Sequence, residues 1–281
     1  MTKNNKKDNS LEMLHEVQIE ILDEIVRICK KYNLVYYLVG GTLIGAVRHK
    51  GFIPWDDDLD IGMPRKDYEK FIKVAKDELK SKYYLHDIST DKKYWQCFLK
   101  IRKNNTLFDE TMIEDIETHK GIFVDIFPYD NLEKKNIFYK IKWSILRNLF
   151  DFSLYYRGIF KKDRINHFIF CKLFSIFRLN TILKFCDKLM QSCKNENSKY
   201  LVSYNGCYGK EKETMERNWI LPTKKIKFEN KMYSCPNDCD AVLTHVYGDY
   251  MKLPPKEKRV THLPKQIIFD EKELKNENIK N

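Results

Sequence analysis

Residues 40–71 read GGTLIGAVRHKGFIPWDDDLDIGMPRKDYEKF, with Asp56, Asp57, Asp58 and Asp60 crowded just after a tight turn. Like charges this close repel one another unless a cation or a positively charged group holds them. The flanking residues set the frame. Val35 to Val39 is short, β-branched and aromatic, which predicts a buried strand. Gly40-Gly41 ends it, and Thr42 is the expected N-cap of a short helix through Arg48. Residues 51–57 turn around Gly51 and Pro54, Leu59 to Met63 reads as a second strand, and Arg65 to Leu79 as a helix. Asp58 and Asp60 are two apart on an extended chain, so both carboxylates point to one face.

Working outward, Leu11, Leu14, Val17, Ile21, Ile25 and Ile28 recur at helical spacing, which predicts a helix from Ser10 to Tyr32 with Asn33 as its stop. Strands are expected near 83–88, 95–102 and 122–127. Strands and helices in this mixture give an α+β fold, a mixed sheet with flanking helices. Residues 134–193 differ: they are helical, aromatic and basic. From Leu201 the chain returns to mixed character, with short strands around 219–235 and a Pro254-Pro255 loop near the end. The expected division is a catalytic core over 10–133, a basic helical insertion over 134–198 and the rest of the catalytic domain over 199–270. Residues 1–9 and 271–281 are expected to be flexible.

The chain has 281 residues, 43% hydrophobic and 32% charged, so it buries a sizeable core. No apolar run approaches the roughly 20 residues that span a bilayer. The polar, lysine-rich start has no apolar stretch behind it, so no secretory leader is expected and a cytoplasmic location follows. Eight cysteines are scattered without a CxxC pair, which predicts reduced, structural thiols. Cys207, Cys235, Cys239 and His245 lie near one another in sequence, but their spacing matches no recognised zinc pattern. The net charge is +11, and residues 134–188 carry nearly all of the excess, with thirteen Lys/Arg against three Asp. Anionic partners are expected to meet that segment. Its aromatic and cationic residues suit either a membrane-surface contact on the inner face or helices whose aromatics pack inward.

Two carboxylates on one face suit Mg²⁺ or Mn²⁺. The double-glycine turn offers backbone N–H groups, and the N-terminus of the following helix points the same way, which favours phosphate oxygens. A phosphate cradle followed by a carboxylate pair is a layout for metal-assisted phosphoryl or nucleotidyl transfer. The bland alternative is a solvated acidic turn. A third acid, Asp125, stands among Ile122, Phe123, Val124, Ile126 and Phe127. A carboxylate buried there needs a partner, which a metal supplies; the alternative is a strand-end aspartate bonded to backbone.

Three segments together, GGTLIGAVRHKGFIPWDDDLDIGMPRKDYEKF, VDIFPYD and YGDYMKLPPKEKRVTH, resemble the LicD family and frame residues 10–265. The first two are also similar to eukaryotic fukutin-related protein. The resemblance implies a nucleotidyltransferase-like core and transfer of phosphocholine from CDP-choline to a sugar of teichoic acid or lipopolysaccharide. It makes Asp58, Asp60 and Asp125 the metal ligands and catalytic acids. Gly40, Gly41 and Thr42 become the phosphate-side turn, and Lys100 the group that neutralises the pyrophosphate. Arg48 is placed to pair with a phosphate oxygen or with Asp56 or Asp57. Arg259 and His262 match the C-terminal motif, on a loop stiffened by its two prolines. Trp55 is expected to pack under the aspartate turn, and His119 is a weaker candidate for a phosphate or acceptor contact.

Two other classes remain in view. A nucleotidyltransferase for a small molecule, RNA or protein would use the same residues but release pyrophosphate in place of CMP. A nucleic-acid-binding module is prompted by the basic charge, yet no RRM, KH or zinc-finger signature is present and four clustered aspartates oppose a phosphate-backbone footprint, so no nucleic acid is expected. The alcohol on the CDP donor and the acceptor sugar are not legible, because no quaternary-ammonium site stands out among so many aromatics.

Overall fold

The computed structural model describes residues 2–110, 116–156, 178–255, 257, 259 and 264–274. Helix α1 (Thr2–Tyr32) opens the chain. Leu14, Ile21, Ile25 and Ile28 are fully buried along it, as their helical spacing predicts. Asn33 adopts φ +52°, the left-handed conformation that ends helices and that asparagine tolerates.

Next come β1 (Tyr37–Leu38), α2 (Gly40–Arg48), β2 (Asp60–Pro64) and α3 (Arg65–Glu78). β3 (Tyr83–His86), β4 (Leu99–Lys103), β5 (Leu107–Phe108) and the ten-residue β6 (Phe123–Leu132) follow. The main sheet runs β1-β2-β6-β4-β3. β2 and β6 are parallel, and the other neighbours along that path are antiparallel. A parallel pair needs a long crossover, supplied here by α3 and the β3–β4 hairpin. The arrangement is the α+β mixed sheet that the sequence predicts.

The expected insertion supplies α4 (Ile137–Tyr156) and α5 (Leu179–Met190). β7 (Tyr200–Val202) then pairs with the far half of β6, and β8 (Thr214–Glu216) pairs with β7. A short helix α6 (Arg217–Ile220), the hairpin β9 (Lys224–Phe228) and β10 (Lys231–Cys235), and α7 (Cys239–Tyr247) complete the body. β11 (Ile267–Ile268) returns to pair with β5.

Two apolar clusters result. The larger joins α1, the main sheet and α3 to Phe228, Tyr233, Val242 and Leu243 from the C-terminal part. The smaller packs Tyr139, Trp143, Leu146 and Phe152 of α4 against Leu179, Leu183 and Met190 of α5, with Leu132, Val202 and Tyr204 beneath. Part of the aromatic character of α4 is therefore turned inward. Arg65 at the start of α3 ties the clusters together. Its Nε and Nη2 donate to Asp130 of β6 at 2.7 and 2.9 Å, and its Nη1 donates to Asp187 of α5 at 2.9 Å. Burial alone disfavours the Arg65 cation, but the Asp130 carboxylate more than offsets this, so its pKa lies above the ordinary value.

Some local expectations need revision. Thr42 is not an N-cap: α2 begins at Gly40, Val39 occupies the cap position, and no side chain caps it. The second strand begins at Asp60, so Asp58 lies in the extended segment leading into it.

Replacing Arg65 by Ala leaves Asp130 buried without its cation. Breaking such a pair costs about 3–5 kcal/mol, and equilibrium denaturation in urea should register a loss of that order. A change below about 1 kcal/mol would show that the pair does not hold the clusters together.

Candidate functional site

The extended chain from Asp56 to Asp60 alternates. Asp57 and Leu59 are buried, at 1% and 0% exposure, while Asp56, Asp58 and Asp60 line a cavity of about 470 Å³. The period of two continues upstream of the strand because Leu59 O already accepts from Asp125 N at 3.0 Å. Asp56, assigned to the turn from sequence, thus joins the cavity with Asp58 and Asp60.

The double glycine is what lets these carboxylates stand so close. Gly40 adopts φ +59°, and a Cβ there would lie 3.1 Å from Asp60 Oδ2. A Cβ on Gly41 would lie 2.5 Å from Asp56 Oδ2, closer than any side chain permits. The acids therefore pack onto the N-terminus of α2, where the helix dipole favours negative charge. Thr42 is buried behind them. Its Oγ1 accepts from Asp60 N at 2.9 Å, so it holds the strand in place.

Register brings the third acid in. Asp60 pairs with Asp125 across the parallel β2–β6 contact, and Lys100 pairs with Asp125 across β4–β6. Residues directly opposite share a face, so carboxylate, carboxylate and ammonium form a row. Lys100 Nζ donates to both oxygens of Asp125, at 2.7 and 2.9 Å, and is 4% exposed. Lys100, read from sequence as a pyrophosphate contact, here neutralises Asp125, and neither residue lines the cavity.

Burial and mutual repulsion raise the acids. Desolvation, then Asp57 and Asp125, push Asp58 up to about 8. Desolvation, then Asp125 and Asp58, hold Asp60 far above the usual carboxylate range. Asp125 is raised by burial, with Lys100 opposing. Groups perturbed in this way by burial and by one another mark a candidate site. Among the described residues, the metal-capable group whose ligand atoms lie within 4.8 Å of one another is Asp56, Asp57 and Asp58. Cys207, Cys235, Cys239 and His245 form no such group, and the His245 ring is bonded to Glu211 O at 2.8 Å.

The other expected residues are dispersed around the acids. Arg48 donates to Tyr250 O at 2.7 Å and to His49 at 2.9 Å. The Arg259 guanidinium lies 4.4 Å from the Trp55 ring centroid, so the C-terminal loop reaches the aspartate turn. Burial lowers the pKa of Arg48, and the nearby charge of Arg259 lowers it further. His262 falls outside the described residues. His119 is bonded to Asn104 at 2.9 Å and stacked on Tyr84, a packing role.

Another part of the cavity was not legible in sequence. It is lined by Tyr129, Tyr208, Tyr247 and the buried Glu213. Glu213 accepts from Tyr208 N at 3.0 Å, and burial pushes it up to about 7. A side chain at Gly206 would collide with the Glu213 carboxyl group, so this glycine makes room for it. Tyr129 and Tyr247 do sit inside two of the quoted segments, which was the available signal. Glu213 carried none.

The raised acids have a pH consequence. The ordinary Asp pKa is 3.8, and Asp58 in the fold titrates near 8. The folded state then binds the extra proton, so stability present below about 4 is lost as pH rises toward 8. In chelator, the urea midpoint should fall between about pH 5 and pH 8, and Asp58→Asn should flatten that fall. An identical slope in wild type and variant would contradict the assignment.

Comparison with known proteins places the chain in a family. The family described as LicD/FKTN/FKRP, nucleotidyltransferase domain, matches residues 33–165, which hold Asp56, Asp58, Asp60, Lys100 and Asp125. The lipopolysaccharide cholinephosphotransferase LicD of Haemophilus influenzae is 32% identical over 268 residues, 88% of this chain and 93% of that protein. Human and mouse ribitol 5-phosphate transferase FKRP are each 42% identical over 43 residues, 15% of this chain and 9% of theirs. With identity of this level along nearly its whole length, the chain belongs to the LicD family.

Proposed function

We propose that this LicD-family transferase moves phosphocholine from CDP-choline onto a sugar hydroxyl of a cell-surface glycan precursor, a lipopolysaccharide or teichoic acid, and releases CMP. The observation that carries the reading is the single acidic face of Asp56, Asp58 and Asp60, set on the N-terminus of α2 and open to a cavity. The name of the long Haemophilus relative supports the phosphocholine and lipopolysaccharide parts.

Asp58 and Asp60 offer carboxylate oxygens, their pKa raised by burial and by neighbouring carboxylates, a donor set that fits Mg²⁺ or Mn²⁺. Asp58 and Asp60 would hold the ion, with Asp56 beside them. Asp125 would complete the set in place of its Lys100 partner. When bound, the ion would neutralise charge on the pyrophosphate oxygens. The remaining chemistry falls to this chain's residues. Gly40 and Gly41 present the positive end of α2 to phosphate. Arg48 and Arg259, close enough to repel, are a second place for an anion. The acceptor hydroxyl attacks the phosphorus that bears the choline, its oxygen bonds to that phosphorus, and the bridging P–O bond breaks with CMP leaving. Asp60, which lines the cavity, takes the hydroxyl proton.

Contact with a membrane surface is a further part of the reading. Ile137, Phe138, Ile141 and Ile145 lie on one face of α4 and are exposed, Phe138 at 75%, and Phe185 of α5 is exposed as well. Lys134, Lys140, Lys184 and Lys188 are exposed around them. Apolar side chains ringed by cations suit an anionic lipid surface on which a lipid-linked acceptor is presented. Among the described residues, no helix is long and apolar enough to cross a membrane.

Asp58→Ala and Asp60→Ala should each lower CMP release from CDP-choline by at least about a hundredfold, with the far-UV spectrum unchanged. Mg²⁺ should raise the Tm of wild type and not of these variants. Near-normal turnover in both would remove the metal assignment, and pyrophosphate release from an NTP would favour nucleotidyl transfer instead. Phe138→Asp with Ile141→Asp should cut co-sedimentation with anionic vesicles by about tenfold or more. Equal binding of the two proteins would end the membrane reading.

A further inference from the structure

The cavity is lined by two sets of acids. Asp56, Asp58 and Asp60 make one, and Glu213 makes the other. Tyr129, Tyr208 and Tyr247 line the same cavity, and a Cβ on Gly40 would lie 3.1 Å from Asp60 Oδ2 and 4.0 Å from the Tyr247 hydroxyl, so Tyr247 stands beside the aspartates. Tyr208 and Tyr247 meet edge to face, with centroids 5.1 Å apart.

Glu213 is 6% exposed and, among the described residues, has one hydrogen-bond donor, the backbone N–H of Tyr208. Arg147 is the neighbouring cation, but it donates to Gly206 O at 3.1 Å and makes no ion pair with Glu213 within 4.0 Å. A carboxylate withdrawn from water without a cation is costly. It does not belong to the group of Asp56, Asp57 and Asp58, and a lone carboxylate among rings is a poor metal site. Tyrosine faces with one carboxylate suit a bulky cation that has no N–H to satisfy.

We propose that Glu213, with Tyr129, Tyr208 and Tyr247, forms the pocket for the quaternary ammonium head of the transferred alcohol. The inference rests on the CDP-choline reading above and deepens it. The phosphate groups lie by the aspartates and the trimethylammonium by Glu213. Glu213 is then a specificity residue: it selects the alcohol by charge and takes no part in the bond changes.

The test compares binding of CDP-choline with CDP-3,3-dimethylbutanol, its uncharged isostere, by calorimetry in Mg²⁺. Wild type should bind CDP-choline on the order of tenfold more tightly. Glu213→Gln keeps an acceptor for Tyr208 N and removes the charge, so it should abolish the preference while CMP affinity stays within about twofold. Tyr247→Leu should weaken CDP-choline more than CMP. If Glu213→Gln keeps the full preference, or wild type binds both donors equally while still binding CMP, the pocket assignment fails alone. If wild type binds neither donor nor CMP, the donor reading fails and the pocket with it.

Discussion

The parallel pairing of β2 with β6 is the constraint on which the site depends. It sets Asp60 beside Asp125 at one level of a buried sheet, and β4 adds Lys100 to the same row. Two carboxylates and one ammonium leave net negative charge in a place shielded from water. Burial first, and then neighbouring carboxylates, raise the pKa values of Asp58 and Asp60 there. Perturbed acids of this kind are the feature on which the proposed cation site rests.

Around that row the chain supplies rigid support. Gly40 and Gly41 leave room for the carboxylates at the end of α2, Thr42 bonds the Asp60 backbone, and Arg65 locks the far end of β6 to α5. The acids are thus mounted on regular elements joined by buried bonds, the arrangement that keeps reacting groups in register. β6 also lends Phe127 and Tyr129 to the cavity that the aspartates and Glu213 line. Tyr129 belongs to the same strand as Asp125.

Much of the site was readable in one dimension. Asp58 and Asp60 share a face because extended chain alternates, and that rule needs no partner strand. Alternation also places Asp56 in the set, yet the neighbouring proline and glycine marked it as turn. Asp125 was visible as an acid inside an apolar strand, where its need for a partner follows from desolvation alone. The sequence reading offered a metal as its partner; the structure adds Lys100, which sequence could not supply because antiparallel register is invisible there. Thr42 was taken for a cap from its residue type, but Gly40, with its positive φ, starts the helix two residues earlier.

The sequence by itself determined the α+β class, the acidic face and the order of the motifs, since these follow from local periodicity, turn residues and composition. Only the tertiary structure decided which charges meet. Arg65 with Asp187, Arg48 beside Arg259, and Glu213 in one cavity lining with Asp60 bring together residues far apart in the chain. Their distances depend on how sheet, helices and loops close on one another, and no local pattern encodes that closure.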